Sequence, residues 1–178
     1  MELSKGSADF SKMVAVGNSL TAGYQSGALS ADGQNNSLPA MIAAQMEQVG
    51  GGGFNQPVLE GKLGAKRAGF SIALVAVGQV ETRLALKGTV DCLGAVSVGP
   101  VRKGASYLGL GDLIADVSSE TYNNQGVPGA KLTDLSDPNY ANPYFARMRT
   151  PGQTMLTLAT DLDATFFSLW IGNNDVLG

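Results

Sequence analysis

The order of apolar and polar positions predicts short strands that alternate with amphipathic helices. The run from Met13 to Val16 is apolar throughout and predicts a buried strand that leads into a glycine turn. Between residues 38 and 49, apolar side chains recur at helical spacing, Ser37 can cap this segment, and Pro39 suits a first turn. We therefore predict a helix over 38–49 that ends in the glycine run 50–53.

That glycine run has a second interpretation, a loop that cradles phosphate groups. It lacks the Lys-Ser/Thr pair of a P-loop, and it follows a helix instead of preceding one. A helix stop with a flexible connection is the favoured interpretation.

The C-terminal third repeats the alternation of helix and strand. Residues 153–162 carry apolar side chains on one side of a predicted helix, and the next segment, 164–171, is apolar almost throughout. Such a strand is typical of a parallel sheet that is covered on both faces. A shorter helix is expected near 130–135, and the loop 137–143 is rich in Pro and Asn. Helix, strand and glycine-rich loop in succession indicate an α/β domain.

Residues 57–120 differ in character from the segments on either side. Two short apolar runs, 70–77 and 82–86, flank Gly78 and Gln79, and together they predict a β-hairpin or two short strands. The rest shows no clear period. We therefore expect a single domain whose main sheet carries a β-containing insertion at about 57–120.

Composition and charge argue against several classes of function. The 178 residues carry a net charge of −3 with no basic run, which argues against nucleic-acid binding. No apolar run approaches the roughly 18 residues of a transmembrane helix, and the N-terminal residues lack the apolar core of a signal peptide. The lone Cys92 is expected to be a core or loop residue, with a reactive thiol as the alternative.

The chain contains no histidine. The commonest general base and the commonest metal ligand are therefore both missing. No spacing of metal ligands is visible, so we predict neither a metal site nor a cofactor.

Three Gly/Asn-rich segments stand where predicted strands end. They are Gly17-Asn18-Ser19-Leu20, the stretch 124–129 (N-Q-G-V-P-G) and the stretch 172–175 (G-N-N-D). Because ligands of open α/β sheets bind outside the carboxyl ends of the strands, we expect these segments to converge on one site.

These three segments resemble, in order, the first three sequence blocks of the SGNH hydrolases, also called GDSL-like esterases and lipases. The likeness covers roughly residues 8–60 and 120–178, and it is closest to a secreted or lipoprotein-type subgroup. It implies a three-layer α/β/α, flavodoxin-like fold with a mainly parallel sheet. It also implies that Ser19 is the nucleophile and contributes its N–H to an oxyanion hole. Gly129 would supply a second N–H, with Gly126 as the competing position, and Asn174 would supply a side-chain amide.

Two departures from the family pattern are visible. Asn18 stands where the G-D-S-L form has an aspartate, which is not one of the four named catalytic groups. The D-x-x-H block, which supplies the family's base and orienting acid, is absent. We therefore expect a C-terminally incomplete domain, a fragment of an ester hydrolase with negligible activity of its own. The alternative is a non-catalytic pseudoenzyme or binding module.

The resemblance leaves the substrate class open among a small-molecule ester, a lipid and an acylated carbohydrate. It suggests a secreted or cell-envelope lipoprotein, although this chain shows no signal peptide, and the oligomeric state is not indicated. In an incomplete domain, the strand 164–171 would lack cover, so we expect Phe166, Phe167 and Trp170 to form an exposed surface that promotes association.

Overall fold

A three-stranded parallel sheet forms the centre of the protein. The computed structural model describes residues 3–59, 79–81, 83–102, 105–107 and 121–177. The central strand, β1 (Met13–Gly17), pairs in parallel with β6 (Asn124–Gly126) on one side and with β7 (Phe166–Trp170) on the other. The protein is thus of the mixed α/β class, as the sequence predicts.

Strand β1 is buried along its whole length, because apolar side chains cover both of its faces. Met13 and Ala15 pack with Ala43 and its neighbours in the third helix. Val14 and Val16 join the larger core cluster. Strand β1 therefore packs against both the N-terminal and the C-terminal parts of the chain.

Three helices follow β1, each begun by a polar cap as short-range chemistry predicts. They are α1 (Ser19–Ala22), α2 (Ala31–Asn35) and α3 (Leu38–Glu47). The predicted helix 38–49 is confirmed as α3, with Ser37 Oγ accepting the Ala40 N–H. Helices α1 and α2 both lie between β1 and this predicted helix.

Four short helical segments flank β6 and β7. They are a 3₁₀ helix at Leu132–Ser136, α4 (Pro143–Ala146), α5 (Met155–Thr160) and α6 (Asn173–Leu177). Helix α5 confirms the helix predicted within 153–162, whereas α4 lies at the end of the predicted loop. Within the described residues, none of the helices combines the length and the apolar character needed to cross a bilayer.

The described part of 57–120 forms antiparallel pairs outside the parallel sheet. Strand β2 (Gln79–Glu81) pairs with β5 (Ala105–Tyr107), and β3 (Leu84–Val90) pairs with β4 (Val96–Arg102). Of the region expected to form a β-hairpin or two short strands, Gln79 lies in β2 and residues 84–86 lie in β3. The turn that closes β3 and β4 is at 91–95, where Asp91 Oδ1 accepts the N–H groups of Leu93 and Ala95. Run 70–77 lies outside the described residues.

The chain's only cysteine, Cys92, is exposed in this 91–95 turn. Of the two positions expected for Cys92, core and loop, the structure therefore shows the loop. The β3–β4 pair contacts the rest of the protein near α2. The Leu84 N–H donates to Ser26 O at 2.6 Å. Arg83 forms an ion pair with Asp32 at 3.1 Å.

Strand β7 is only partly covered, which contradicts the expectation of a strand covered on both faces and confirms the exposure expected for Phe167 and Trp170. Phe167 and Leu169 are 70% and 55% exposed on one face, and Trp170 is 46% exposed on the other. Phe166, expected to be exposed, instead packs edge-on against Phe10 beside α3. Among the described residues, β7 has β1 as its one hydrogen-bonded neighbour, so its outer edge is open.

This open, apolar edge predicts self-association that depends on protein concentration. We expect the double variant Phe167→Lys and Leu169→Lys to sediment as a monomer at concentrations where the unchanged chain associates. Leu156→Lys, an equally polar change on the 50% exposed outer side of α5, is the matched control. Sedimentation velocity distinguishes the cases. Equal association of the double variant and the control would contradict a role for β7.

Candidate active site

The three Gly/Asn-rich segments meet at one edge of the parallel sheet. In the strand register, Gly17 is the partner of both Gly126 and Trp170, so all three strands end at the same level. The loops that follow are joined by main-chain hydrogen bonds across this edge: Val127 N–H donates to Gly17 O at 2.9 Å, and Asn18 N–H donates to Trp170 O at 3.2 Å. The predicted convergence of the three segments is therefore present.

Ser19 opens helix α1 directly after β1. Asn18 caps the helix, with Oδ1 accepting the Leu20 N–H at 3.1 Å. As the first helical residue, Ser19 has an amide N–H without an intrahelical acceptor. The Ser19 side chain is half-buried, and its hydroxyl makes no hydrogen bond to any described residue. Neither the Ser19 N–H nor its hydroxyl therefore has a hydrogen-bond partner among the described residues.

Gly129 lies in a tight turn after β6. Pro128 and Gly129 occupy its two central positions, the φ of Gly129 is +83°, and Ala130 N–H donates to Val127 O at 3.0 Å. This is a type II turn, whose third residue favours glycine. The bond that closes the turn uses the Ala130 N–H, and the Gly129 N–H has no acceptor among the described residues.

Gly126, the competing oxyanion position, has a different environment. It is buried, and its N–H donates to Asn124 Oδ1 at 3.0 Å. A Cβ placed on Gly126 would collide with the backbone of Thr21 and Ala22, so this glycine allows α1 to pack against β6. Gly126 therefore allows close packing, and its N–H is already hydrogen-bonded. The Gly129 N–H, in contrast, has no acceptor among the described residues.

Helix α6 fixes the third loop to the other two. Asn174 Nδ2 donates to Ala130 O at 2.8 Å, and the Asp175 carboxylate accepts the Leu132 N–H at 3.0 and 3.1 Å. Asn173 Oδ1 accepts a hydrogen bond from Asn18 Nδ2. Because the amide of Asn174 carries two N–H groups, one remains for a ligand after the bond to Ala130.

Comparisons of the whole chain found no significant match to a known protein family, to a curated protein or to a solved structure. The function must therefore be argued from the geometry of this site and from the sequence motifs.

The polar side chains that hold the loops in place were not singled out by the sequence. Asn124 is buried and donates through Nδ2 to Thr21 O at 3.0 Å and to Gln56 Oε1 at 2.8 Å. Asn18 is fully buried, and Asn173 and Asp175 join the neighbouring loops. For Asn18 a usable signal was present, because it directly follows β1 and can cap the helix that comes next.

The site contains N–H donors and a hydroxyl group. In the parts of the chain that the structure describes, no three His, Cys, Asp or Glu side chains come together as a metal site. A serine hydroxyl beside free N–H groups is suited to acyl transfer, in which a developing oxyanion needs donors without added charge.

Proposed function

We propose that these residues form the nucleophile and oxyanion half of an SGNH-type ester hydrolase site. The observation that carries the proposal is that the Ser19 N–H, the Gly129 N–H and the Ser19 hydroxyl have no hydrogen-bond partner among the described residues. They lie in loops joined by the Asn18–Asn173 and Asn174–Ala130 hydrogen bonds. The substrate class is a small-molecule ester, a lipid or an acylated carbohydrate.

The roles follow from acyl-transfer chemistry. Ser19 Oγ would attack the acyl carbon, and its proton would pass to a base. The carbonyl oxygen would gain negative charge as the tetrahedral intermediate forms. The N–H groups of Ser19 and Gly129 and the free N–H of Asn174 would stabilise that charge, each contributing roughly 10²–10³ in rate.

We propose the three-layer SGNH fold as the frame of this site. Support comes from the parallel order β6-β1-β7 and from the packing of helices against both faces of β1. The open outer edge of β7 is compatible with a larger sheet.

The base is the missing part, because the chain contains no histidine. Imidazole added to the solution can take the place of the absent side chain as proton acceptor. We expect p-nitrophenyl acetate to acetylate Ser19 in the presence of imidazole, with p-nitrophenolate as the leaving group and the Ser19 proton taken up by imidazole. Peptide mass spectrometry locates the acetyl group.

Two variants separate this chemistry from reaction at other nucleophiles. Ser19→Ala must lose the imidazole-dependent acetylation of its peptide, and Asn174→Ala is expected to slow it by roughly 10²–10³. Ser168→Ala, a change in β7 away from the loops, is the matched control and should acetylate Ser19 normally. If Ser19 acquires no acetyl group while other hydroxyls do, the chain is a non-catalytic module of the same fold.

A further inference from the structure

A cavity lies at the opposite end of the sheet from Ser19. It has a volume of about 220 Å³ and lies between the start of β6, helix α5 and the segment that follows α4. Its apolar wall includes Tyr122, Met148 and Leu158, and its polar wall includes Gln125 and Asp161. Because it opens where β6 and β7 begin, it is separate from the loops where these strands end.

The Gln125 side chain indicates which chemical group this cavity can bind. The residue is 4% exposed, and its side chain lies on the same face as its register partner Val16, toward α5. Its Nε2 donates to Tyr122 O at 3.3 Å, whereas its Oε1 is buried and has no hydrogen-bond partner among the described residues. A buried carbonyl oxygen without a donor is costly, so a donor is expected to occupy the adjoining space.

The charge of the lining restricts what that donor is. Asp161, an exposed residue directly after α5, is the one charged residue of the described lining. A cationic donor is thus favoured over an anion. The apolar residues beside it suit a short hydrocarbon body, and the volume is below the range of drug-sized ligand pockets.

We propose that this cavity binds a small primary alkylammonium ion. Its ammonium group donates to Gln125 Oε1 and faces the Asp161 carboxylate, while its alkyl chain lies against Met148 and Leu158. This site is independent of the ester-hydrolase proposal, since it shares no residue with it.

The test uses n-hexylammonium chloride as the probe, with hexan-1-ol and sodium hexanoate as isosteric neutral and anionic comparators. Isothermal titration calorimetry of the 178-residue chain should show saturable binding of hexylammonium, weaker binding of hexanol and none of hexanoate. Equal binding of all three, or of none, would overturn the proposal.

Variants then assign the contacts. Gln125→Leu removes the acceptor and is expected to weaken hexylammonium binding tenfold to a hundredfold, the usual effect of losing a hydrogen bond to a charged group. Asp161→Asn should reduce the preference for hexylammonium over hexanol. Asp163→Asn, the same charge change outside the cavity, should leave that preference unchanged. If Gln125→Leu does not fold, the Asp161 and Asp163 pair still decides: equal preferences in both variants would refute the site.

Discussion

The 178-residue chain is expected to show no Ser19-dependent turnover of simple esters in buffer without imidazole. Removal of the nucleophile or the base from a catalytic triad lowers kcat by about 10⁶-fold. The chain contains no histidine, so Ser19 has no imidazole to receive its proton. Without a complete triad, substrate binding and the oxyanion donors still accelerate the reaction by roughly 10³–10⁴ over its rate in water.

The measurement is the difference in p-nitrophenyl acetate hydrolysis between the unchanged chain and Ser19→Ala. We expect the two rates to agree within error, because any remaining hydrolysis arises from other surface nucleophiles. A rate that falls on Ser19→Ala without imidazole would show that a base within the chain serves Ser19, and the assignment of a missing base would then be wrong.

The largest expected effect on stability comes from Gly17→Ala. Gly17 ends β1 between the first and third loops, and a Cβ there would lie well inside van der Waals contact with Thr21 Oγ1 and the Trp170 carbonyl oxygen. The backbone of β7 cannot move away without breaking its ladder with β1. We therefore expect destabilisation of about 3 kcal/mol, at the upper end of the usual range for overpacking.

Thermal unfolding followed by circular dichroism measures this loss. A change of that size corresponds to a fall in Tm of roughly 6–12 °C for a chain of this length. Gly53→Ala is the matched control, because a Cβ there meets no atom within 4 Å and its φ is not positive. If Gly17→Ala melts together with Gly53→Ala, close packing at the end of β1 does not limit stability.

Much of the central frame could be predicted from the sequence. The apolar run at 13–16 and the capped helix at 38–49 carry strong local signals, and both were confirmed as β1 and α3. The convergence of the three loops was also predictable, because parallel strands present their carboxyl ends at one edge. That Ser19, Gly129 and Asn174 act together in catalysis stays a prediction.

Other features depend on contacts that a local pattern does not contain. Phe166 was expected to be exposed with Phe167, yet it packs against Phe10, a contact between residues far apart in the sequence. Strand β4 was missed because Gly99 and Pro100 interrupt its pattern, although Leu86 pairs with Pro100 in the ladder. The choice between Gly126 and Gly129 needed the hydrogen bond from Gly126 N–H to Asn124, which no motif encodes.

The pairing of β1 with two distant strands sets the order in which the sheet can assemble during synthesis. Its register partners, Asn124 for Ala15 and Phe166 for Met13, follow it by more than a hundred residues. At usual ribosomal rates of about 5–20 residues per second, β1 waits roughly 8–30 s after its synthesis before β7 exists. Throughout that interval an apolar strand has no sheet partner on the β7 side, and closing so long a loop is slow. Nascent chains therefore expose this apolar N-terminal strand until its partners have been synthesised.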